Sequence, residues 1–241
     1  MKQILLTLFL LVSIALSQQD YNIDDLVERE GTYFEEYSDK SISGKVYKMF
    51  GNKKVNIGEL VNGKQNGKWT EWYENGEKYS EESYNNGEKD GLETWWYENG
   101  QKEFEETYKN GEKDGIHTIW NENGEKYSEE SYKNGKRDGL STSWYENGQK
   151  EYEGKFKDGD STGVWTEWYE NGEKYSEGTY KDGKKDGIHT IWNENGRKKE
   201  EQTYKDGKAD GKYTIWKEDG QKYSEESYKD GNKIIGETKW Y

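Results

Sequence analysis

The residues best suited to catalysis or metal binding in this chain are two histidines and a series of regularly spaced glutamates. His117 and His189 are the only histidines, and they occupy the same slot in two copies of a repeated segment, three repeats apart. With two strands per repeat, their imidazoles would lie about 30 Å apart in a sheet, so they cannot share a metal ion. We therefore expect no metal site and no cofactor, and we assign both histidines to solvent-facing strand positions.

The glutamates provide carboxylates without forming a catalytic pair. One follows five residues after each recurring glycine, at Glu81, Glu105, Glu129, Glu153, Glu177, Glu201 and Glu225. Neighbouring copies would lie about 10 Å apart across an intervening strand, too far for the two carboxyl groups of a retaining glycosidase. The chain has no Cys and no Gly-x-Ser-x-Gly segment that could supply a nucleophile. The sequence therefore predicts a protein that is not an enzyme.

Aromatic side chains are the remaining candidates for ligand binding. Trp recurs every 24 residues from Trp72 to Trp240, and a ring present in every copy suits packing. Other aromatic residues occur only in some copies, on the opposite side of the predicted strands. There they could stack against sugars, choline-like cations or a partner's side chains, or the rolled sheet could pack them on its own loops. These candidate binding residues are Trp69, Tyr73, Trp95, Tyr97, Trp165 and Tyr169.

Repeated β-hairpins would position these residues. Each unit alternates polar and apolar residues with the period of a strand, and "WYENG" is typical of a hairpin turn. A two-residue Asn-Gly turn would place the recurring Glu beside the recurring Trp. A three-residue Glu-Asn-Gly loop would instead set Trp72, Thr70 and Tyr84 on one face. Burying Trp with Tyr costs less than burying it with a carboxylate, which favours the three-residue loop.

The fold class that follows is all-β, an elongated array of antiparallel hairpins in a single twisted sheet with a 24-residue period. The second connection, "NGEKDG" and its variants, is longer and predicts a polar turn into the next hairpin. No helix longer than two turns is expected after residue 45. The last strand, "ETKWY", has no following strand in the sequence, so weak self-association through this edge is expected.

Residues 1–17, "MKQILLTLFLLVSIALS", have the charge, apolar run and small residues of a secretory signal peptide. The apolar run is shorter than the roughly 20 residues of a spanning helix, and no Cys follows it to carry a lipid anchor. We therefore expect an exported protein, periplasmic or extracellular, that is not a lipoprotein and has no transmembrane segment after cleavage. Residues 18–43 form a lead-in, and residues 44–241 form the array.

The charge balance restricts the partners. The formal net charge is −14, and 36% of the residues are charged. Such a chain lacks the basic surface that neutralises phosphates, so nucleic acid is excluded as a partner and anionic membranes repel it. A protein or a glycan remains as the ligand class.

The pattern "DGxxTxWYENGxKxxExxYKNGxxDG" resembles the bacterial variant of the MORN repeat, the type grouped with YwqK-like antitoxins. The resemblance covers about residues 44–241. It implies an elongated hairpin sheet that mediates protein or membrane-lipid contacts without catalysis of its own. The toxins paired with such antitoxins usually act in the cytoplasm, so the signal peptide favours a different role for this chain.

Two functional hypotheses follow. The first is an exported, non-enzymatic repeat scaffold that mediates protein–protein interaction. The alternative is a carbohydrate- or cell-wall-binding module, similar to the choline- and glucan-binding hairpin repeats that carry adjacent aromatic residues in every unit. Here the adjacent Trp–Tyr pair is lost at Asn121, Asn193 and Lys217, which favours the scaffold.

Overall fold

A computed structural model describes residues 19–236 and 238–241. The predicted signal peptide, residues 1–17, lies outside the described residues. The chain forms two compact units, one extending to Lys64 and the other comprising Gln65–Tyr241. The first unit thus contains the predicted lead-in together with the first strands of the predicted array.

The first unit has a small apolar core. Strand β4 pairs in parallel with β1 and antiparallel with β5, while β2 and β3 form a separate hairpin. Ile42, Val46, Ile57 and Leu60 are buried between these elements. Its elements are β1 (Asp20–Asn22), a 3-10 helix (Ile23–Asp25), β2 (Leu26–Arg29), β3 (Thr32–Glu35), β4 (Gly44–Phe50) and β5 (Lys53–Val61).

The second unit is a succession of antiparallel strands in which each strand pairs with its neighbours in sequence. Some strands are interrupted and carry two labels. The strands are β6 (Lys64–Trp72), β7 (Lys78–Asn85), β8 (Glu88–Lys89), β9 (Gly91–Trp96), β10 (Lys102–Lys109), β11 (Glu112–Lys113), β12 (Gly115–Trp120), β13 (Lys126–Lys133), β14 (Lys136–Trp144), β15 (Lys150–Lys157), β16 (Asp160–Trp168), β17 (Lys174–Lys181), β18 (Lys184–Trp192), β19 (Lys198–Lys205), β20 (Lys208–Trp216), β21 (Lys222–Lys229), β22 (Asn232–Lys233) and β23 (Lys239–Trp240).

The all-β prediction is confirmed. Within residues 19–236 and 238–241, the 3-10 helix of the first unit is the only helical segment. In the same part of the chain, no helix has the length and apolar character needed to cross a membrane.

The loop between β6 and β7 shows the first turn that recurs along the second unit. The amide of Tyr73 donates to the carbonyl of Glu77 at 2.9 Å, and the amide of Gly76 donates to the carbonyl of Tyr73 at 3.0 Å. Three residues, 74–76, therefore form the loop, and Gly76 has the positive φ (90°) of a G1 bulge. The same hydrogen bonds recur at Tyr97, Asn121, Tyr145, Tyr169, Asn193 and Lys217. The predicted three-residue loop is confirmed.

A β-bulge lies close to this loop. Trp72 pairs with Lys78, whereas Glu71, one residue earlier, pairs with Ser80. Tyr79 is therefore an extra residue in β7, and the register shifts by one. Equivalent shifts occur in the later hairpins of the second unit.

The bulge reverses the predicted face assignment. The three-residue loop shifts the strand register by one residue, and the bulge shifts it by one more. Thr70 therefore pairs with Glu81. Thr70 and Trp72 therefore share a face with the recurring glutamate, while Tyr84 lies on the other side. The prediction that Trp72, Thr70 and Tyr84 lie together is wrong. We call the side of Trp72 the Trp face and the side of Tyr84 the Tyr face.

The second connection is tighter than predicted. Asn85 pairs with Glu88, so only Asn86 and Gly87 form the turn. Both have positive φ, 52° and 85°, as a type I′ hairpin turn requires. The "KDG" that follows belongs to the next strand, with a second irregularity at Gly91 (φ 119°). Because both turns are short, 17 of the 24 residues in this repeat lie in strands, nine in β6 and eight in β7.

Candidate functional site

On the Trp face, a lysine from each repeat covers the tryptophan of the next. The Nζ of Lys78 lies 2.8 Å from Glu81 and 5.3 Å from the ring centroid of Trp96. Thr94 is buried on the same face. The Lys–Glu pair recurs at Lys102–Glu105, Lys126–Glu129, Lys150–Glu153, Lys174–Glu177, Lys198–Glu201 and Lys222–Glu225. The recurring glutamates therefore hold the lysines that cover the rings.

The Trp face also carries a row of exposed aliphatic side chains. In five consecutive repeats the residue four positions before the recurring tryptophan is Leu, Ile or Val, and its side chain is 42–56% exposed. We call these five the aliphatic row: Leu92, Ile116, Leu140, Val164 and Ile188. Sequence reasoning missed this row. A count of aliphatic residues at the 24-residue period of the sequence would have found it, because the signal lies in the recurrence.

On the Tyr face, the first repeats are dominated by ion pairs. Glu106 accepts hydrogen bonds from the hydroxyl of Tyr108 at 2.6 Å, and lies 2.5 Å from Lys113 and 2.7 Å from Nδ1 of His117. Burial alone raises the pKa of Glu106, but its close polar contacts with His117, Lys113 and Tyr108 outweigh burial and lower the pKa to about 2. The His117 side chain is only 14% exposed, so its predicted solvent-facing position is wrong.

Two glycines replace the glutamates of this face in later repeats, and rings occupy the space. A Cβ at Gly154 would collide with the indole of Trp165, and one at Gly178 would collide with the imidazole of His189. His189 is half-buried, with Nε2 2.9 Å from the carbonyl of Thr179. Burial lowers its pKa, and the charge of Lys185 acts in the same direction, against the hydrogen bond to Thr179. The predicted solvent-facing position of His189 is therefore also wrong.

The candidate tryptophans lie on the Tyr face but are not exposed. Trp69 is 8% exposed. Trp95 stacks on Phe104 at 5.5 Å and donates from Nε1 to Glu93 at 2.7 Å. Trp165 packs among its neighbours' rings, with Phe156 at 5.0 Å. The structure thus places each of these rings against other parts of the sheet.

The candidate tyrosines join consecutive repeats. The hydroxyl of Tyr73 donates to the carbonyl of Trp96 at 2.7 Å, that of Tyr97 to Trp120 at 2.9 Å, and that of Tyr169 to Trp192 at 2.8 Å. Tyr145 makes the same bond to Trp168 at 2.7 Å. Tyr79 connects Tyr73 to Trp95, at ring distances of 4.9 and 4.7 Å, whereas Trp165 and Tyr169 lie further along the sheet. The tyrosine hydroxyls hold adjacent loops together.

The Tyr face contains a cleft of about 480 Å³ across β16 to β21. Tyrosines from consecutive strands line it together with His189, Lys185 and four glutamates; Glu177 and Glu201 form ion pairs with lysines, and Glu167 and Glu200 are the other two. Glu200 accepts a hydrogen bond from the hydroxyl of Tyr213 at 2.6 Å. This arrangement suits stacking and hydrogen bonding of a polar ligand. Over the described residues, no cluster of three or more His, Cys, Asp or Glu side chains could hold a metal ion.

The comparison with known families agrees with the geometry of the repeats. The sequence profile described as MORN repeat variant matches seven successive segments, residues 65–86, 89–110, 113–134, 137–158, 161–182, 185–206 and 209–230. A search of curated proteins finds no match to the chain. The seven matched segments cover more than half of the sequence and coincide with the hairpins of the second unit. The chain belongs to the MORN repeat variant family.

Proposed function

We propose that this chain is an exported bacterial scaffold, without enzymatic activity, that binds a protein partner along the aliphatic row. Repeats of this family are non-catalytic modules that generally mediate interactions with proteins or membranes. The acidic net charge of −14 favours a protein over an anionic membrane. The observation that carries the proposal is the aliphatic row itself.

The row is long enough to form an interface. Successive members are two strands apart, about 10 Å, so five members span about 40 Å. Each is roughly half exposed, and monomeric proteins rarely leave an extended apolar surface without a function. A partner must present an apolar ridge of the same length. One side of an amphipathic helix of about 25 residues meets that requirement, at a rise of about 1.5 Å per residue.

The fold does not require aliphatic residues at this position. Lysine occupies the same slot at each end of the row, where Lys68 pairs with Glu81 at 2.7 Å and Lys212 pairs with Glu225 at 3.1 Å. A lysine is therefore compatible with the sheet and gains an ion pair there. Since folding accepts either residue type, five consecutive aliphatic side chains are better explained by binding.

A pair of lysine substitutions tests the row. Ile116→Lys and Ile188→Lys together should keep the protein folded, with the new lysines beside Glu129 and Glu201 as in the flanking repeats. Gln149→Lys with Gln221→Lys is the control, because it adds the same charge in loop positions where Arg197 shows that a basic residue is tolerated. A photo-crosslinking residue at position 140 would report contacts in cells that produce the protein.

We expect one crosslinked protein, with the link in an apolar segment of that partner, in wild type and in the control pair. The row variant should lose it. Crosslinks that persist in the row variant contradict the proposal. Retention on insoluble cell-wall polysaccharide that is unchanged by the row variant would favour the alternative, a carbohydrate-binding module.

Export is tested separately. The signal-peptide pattern of residues 1–17 supports it, and mass spectrometry of the protein recovered outside the cytoplasm should show an N-terminus at Gln18. An intact N-terminus on protein confined to the cytoplasm would contradict export without affecting the test of the row.

A further inference from the structure

Aromatic and basic side chains alternate along one edge of the Tyr face. Near each two-residue turn, an aromatic residue pairs with a residue of the next strand that is usually basic. The pairs with a basic member are Tyr84–Lys89, Tyr108–Lys113, Tyr132–Arg137, Tyr180–Lys185 and Tyr228–Lys233. We call this alternation the ring–cation row.

In four of these five pairs the basic group also lies over the next ring of the row. Distances from the cation to the ring centroid are similar in four repeats: Lys89 to Tyr108 5.2 Å, Lys113 to Tyr132 5.3 Å, Arg137 to Phe156 5.1 Å and Lys185 to Tyr204 5.0 Å. A cation over an aromatic face is attracted by the electrons of the ring. The repeat geometry therefore forms a place for one cation on each of these rings.

Two positions of the ring–cation row, Ser161 and Ala209, hold no basic residue. We call each of them a break, and the two differ. At Ser161 the indole of Trp165 fills the space, 5.0 Å from Phe156 and 6.1 Å from Tyr180. At Ala209, which pairs with Tyr204, the methyl side chain is too short to reach the next ring, Tyr228. The break at Ala209 thus lacks the intramolecular cation that the other repeats supply.

This second break adjoins the cleft of the Tyr face. Tyr204, Tyr213 and Tyr228 all line that cleft, and Tyr213 meets Tyr228 edge to face at 6.2 Å. The rings around the break are therefore accessible to a ligand that enters the cleft.

The cleft also has an excess of negative charge. Glu167 and Glu200 line it, and within the described part of the chain neither forms an ion pair with a basic side chain. Two other carboxylates of this face are paired, Glu130 with Arg137 at 3.0 Å and Glu226 with Lys233 at 2.7 Å. A positive ligand in the cleft would compensate this charge, because the field of nearby carboxylates attracts cations.

We propose that an organic cation, a guanidinium or ammonium group, binds in this cleft over the ring of Tyr228, at the place left open by Ala209. Glu200 and Glu167 supply the surrounding negative potential. The cation belongs either to a basic side chain of a protein or to a small quaternary ammonium compound such as choline. This site is on the opposite face from the aliphatic row and does not depend on the proposed function.

A substitution that supplies the missing cation from the chain itself tests the site. Ala209→Lys places in this slot the residue type that occupies it in four other repeats, so the variant should fold and compete with an external cation. Asn232→Lys is the control. It adds the same charge at an exposed position next to Lys233, and alternation along the strand directs it to the Trp face. Circular dichroism would confirm that both variants fold.

The probes are acetylated tri-arginine amide and choline, added separately to the whole protein at physiological salt. Ring signals of Tyr228, assigned with Tyr228→Phe, are followed by NMR. We expect saturable shifts in wild type, a Kd at least fivefold weaker in Ala209→Lys, and a Kd within twofold of wild type in Asn232→Lys. Glu200→Gln should weaken binding by a smaller factor. Saturation by choline alone identifies a small quaternary ammonium compound as the ligand class, and saturation by the peptide alone identifies a basic side chain.

Three results would overturn the site. One is the absence of a saturable shift at Tyr228 with either probe. Another is equal weakening by Ala209→Lys and Asn232→Lys, which would show that the probe responds only to net charge. The third is a shift of the same signals by neutral chitotriose that neither cation displaces, which would make the cleft a glycan site.

Discussion

The indole of Trp165 lies directly over Gly154, in space that a side chain at 154 would need. Glutamate fills the equivalent slot in the first repeats, as at Glu82 and Glu106, and forms ion pairs there. Losing the side chain at 154 allows a ring to lie flat on the backbone. At this repeat, therefore, aromatic packing on the Tyr face replaces the ion pair found at the equivalent position of other repeats.

Gly154→Ala should destabilise the protein by about 1–3 kcal/mol, because the added methyl displaces a packed ring. The double variant Gly154→Ala with Trp165→Leu should recover part of this loss. Urea unfolding of the two variants measures it. Equal stability of wild type and Gly154→Ala would show that the ring is not held against residue 154.

A tryptophan that occurs only in some repeats should contribute more to stability than the tryptophan that recurs in every repeat. Recurrence alone would suggest the opposite order. Trp165→Ala should cost about 3 kcal/mol, because it removes a ring that contacts Tyr152, Phe156 and Tyr180. Trp120→Ala, on the Trp face, should cost about 1–2 kcal/mol, since this partly buried ring is covered mainly by Lys102. Thermal melts compare them, and a larger loss for Trp120→Ala would contradict the face assignment.

The hydroxyl of Tyr145 should contribute measurably to stability. Tyr145→Phe removes the donor to the carbonyl of Trp168, and the cost should be about 0.5–1.5 kcal/mol. Tyr127→Phe is the matched control, because Tyr127 is 48% exposed. Urea unfolding should separate the two variants, and an identical small effect of both would show that the bond between loops contributes nothing.

His189 should make the protein less stable as the pH falls below about 6.5. Its pKa is lowered in the folded state, mainly by burial, so the unfolded chain takes up the proton first. Protonation therefore favours unfolding between pH 6.5 and the lower folded pKa. His189→Asn should flatten the slope of unfolding free energy between pH 7.5 and 5.5. A slope unchanged by the substitution would contradict this account.

Glu106 should affect the stability of the protein at a lower pH than His189 does. Its folded pKa is about 2, against an ordinary value of 4.5, so its stabilising contribution is complete above pH 4.5. It is lost as the pH falls from 4.5 towards 2. Glu106→Gln should lower stability at pH 7 and reduce the steepness of acid unfolding, measured by urea titrations at pH 6, 4 and 3. A parallel loss at every pH would rule out this carboxylate as the source.

The hairpin array and its three-residue loop could be predicted because turn chemistry is local. Gly76 is required where φ is positive, and the Glu-Asn pair before it suits a type I turn. The face assignment failed at Tyr79, because the extra residue of the bulge leaves no mark in the alternation pattern. A single unpaired residue then moved every later side chain of β7 to the opposite face.

The candidate site was harder to predict for two reasons. The hydroxyl of Tyr73 binds a backbone carbonyl, and a carbonyl is present whatever the residue, so the sequence gives no indication of this partner. The aliphatic row is a recurrence in the sequence, but the sequence alone does not show that its side chains are exposed. The break at Ala209 becomes meaningful only when strand pairing places it between Tyr204 and Tyr228.

Because the repeat period is 24 residues throughout, the gene for this protein can gain or lose whole repeats. Thr70–Glu81 and Thr166–Glu177 are identical over twelve residues, and such stretches allow unequal recombination. The two stretches lie 96 residues apart, so one exchange between them would add or remove four whole repeats and leave the junctions between hairpins unchanged, because each contacts only its neighbours. It would lengthen or shorten the aliphatic row by four members, about 40 Å. The reach of the interface can therefore evolve in fixed steps while its local chemistry stays constant.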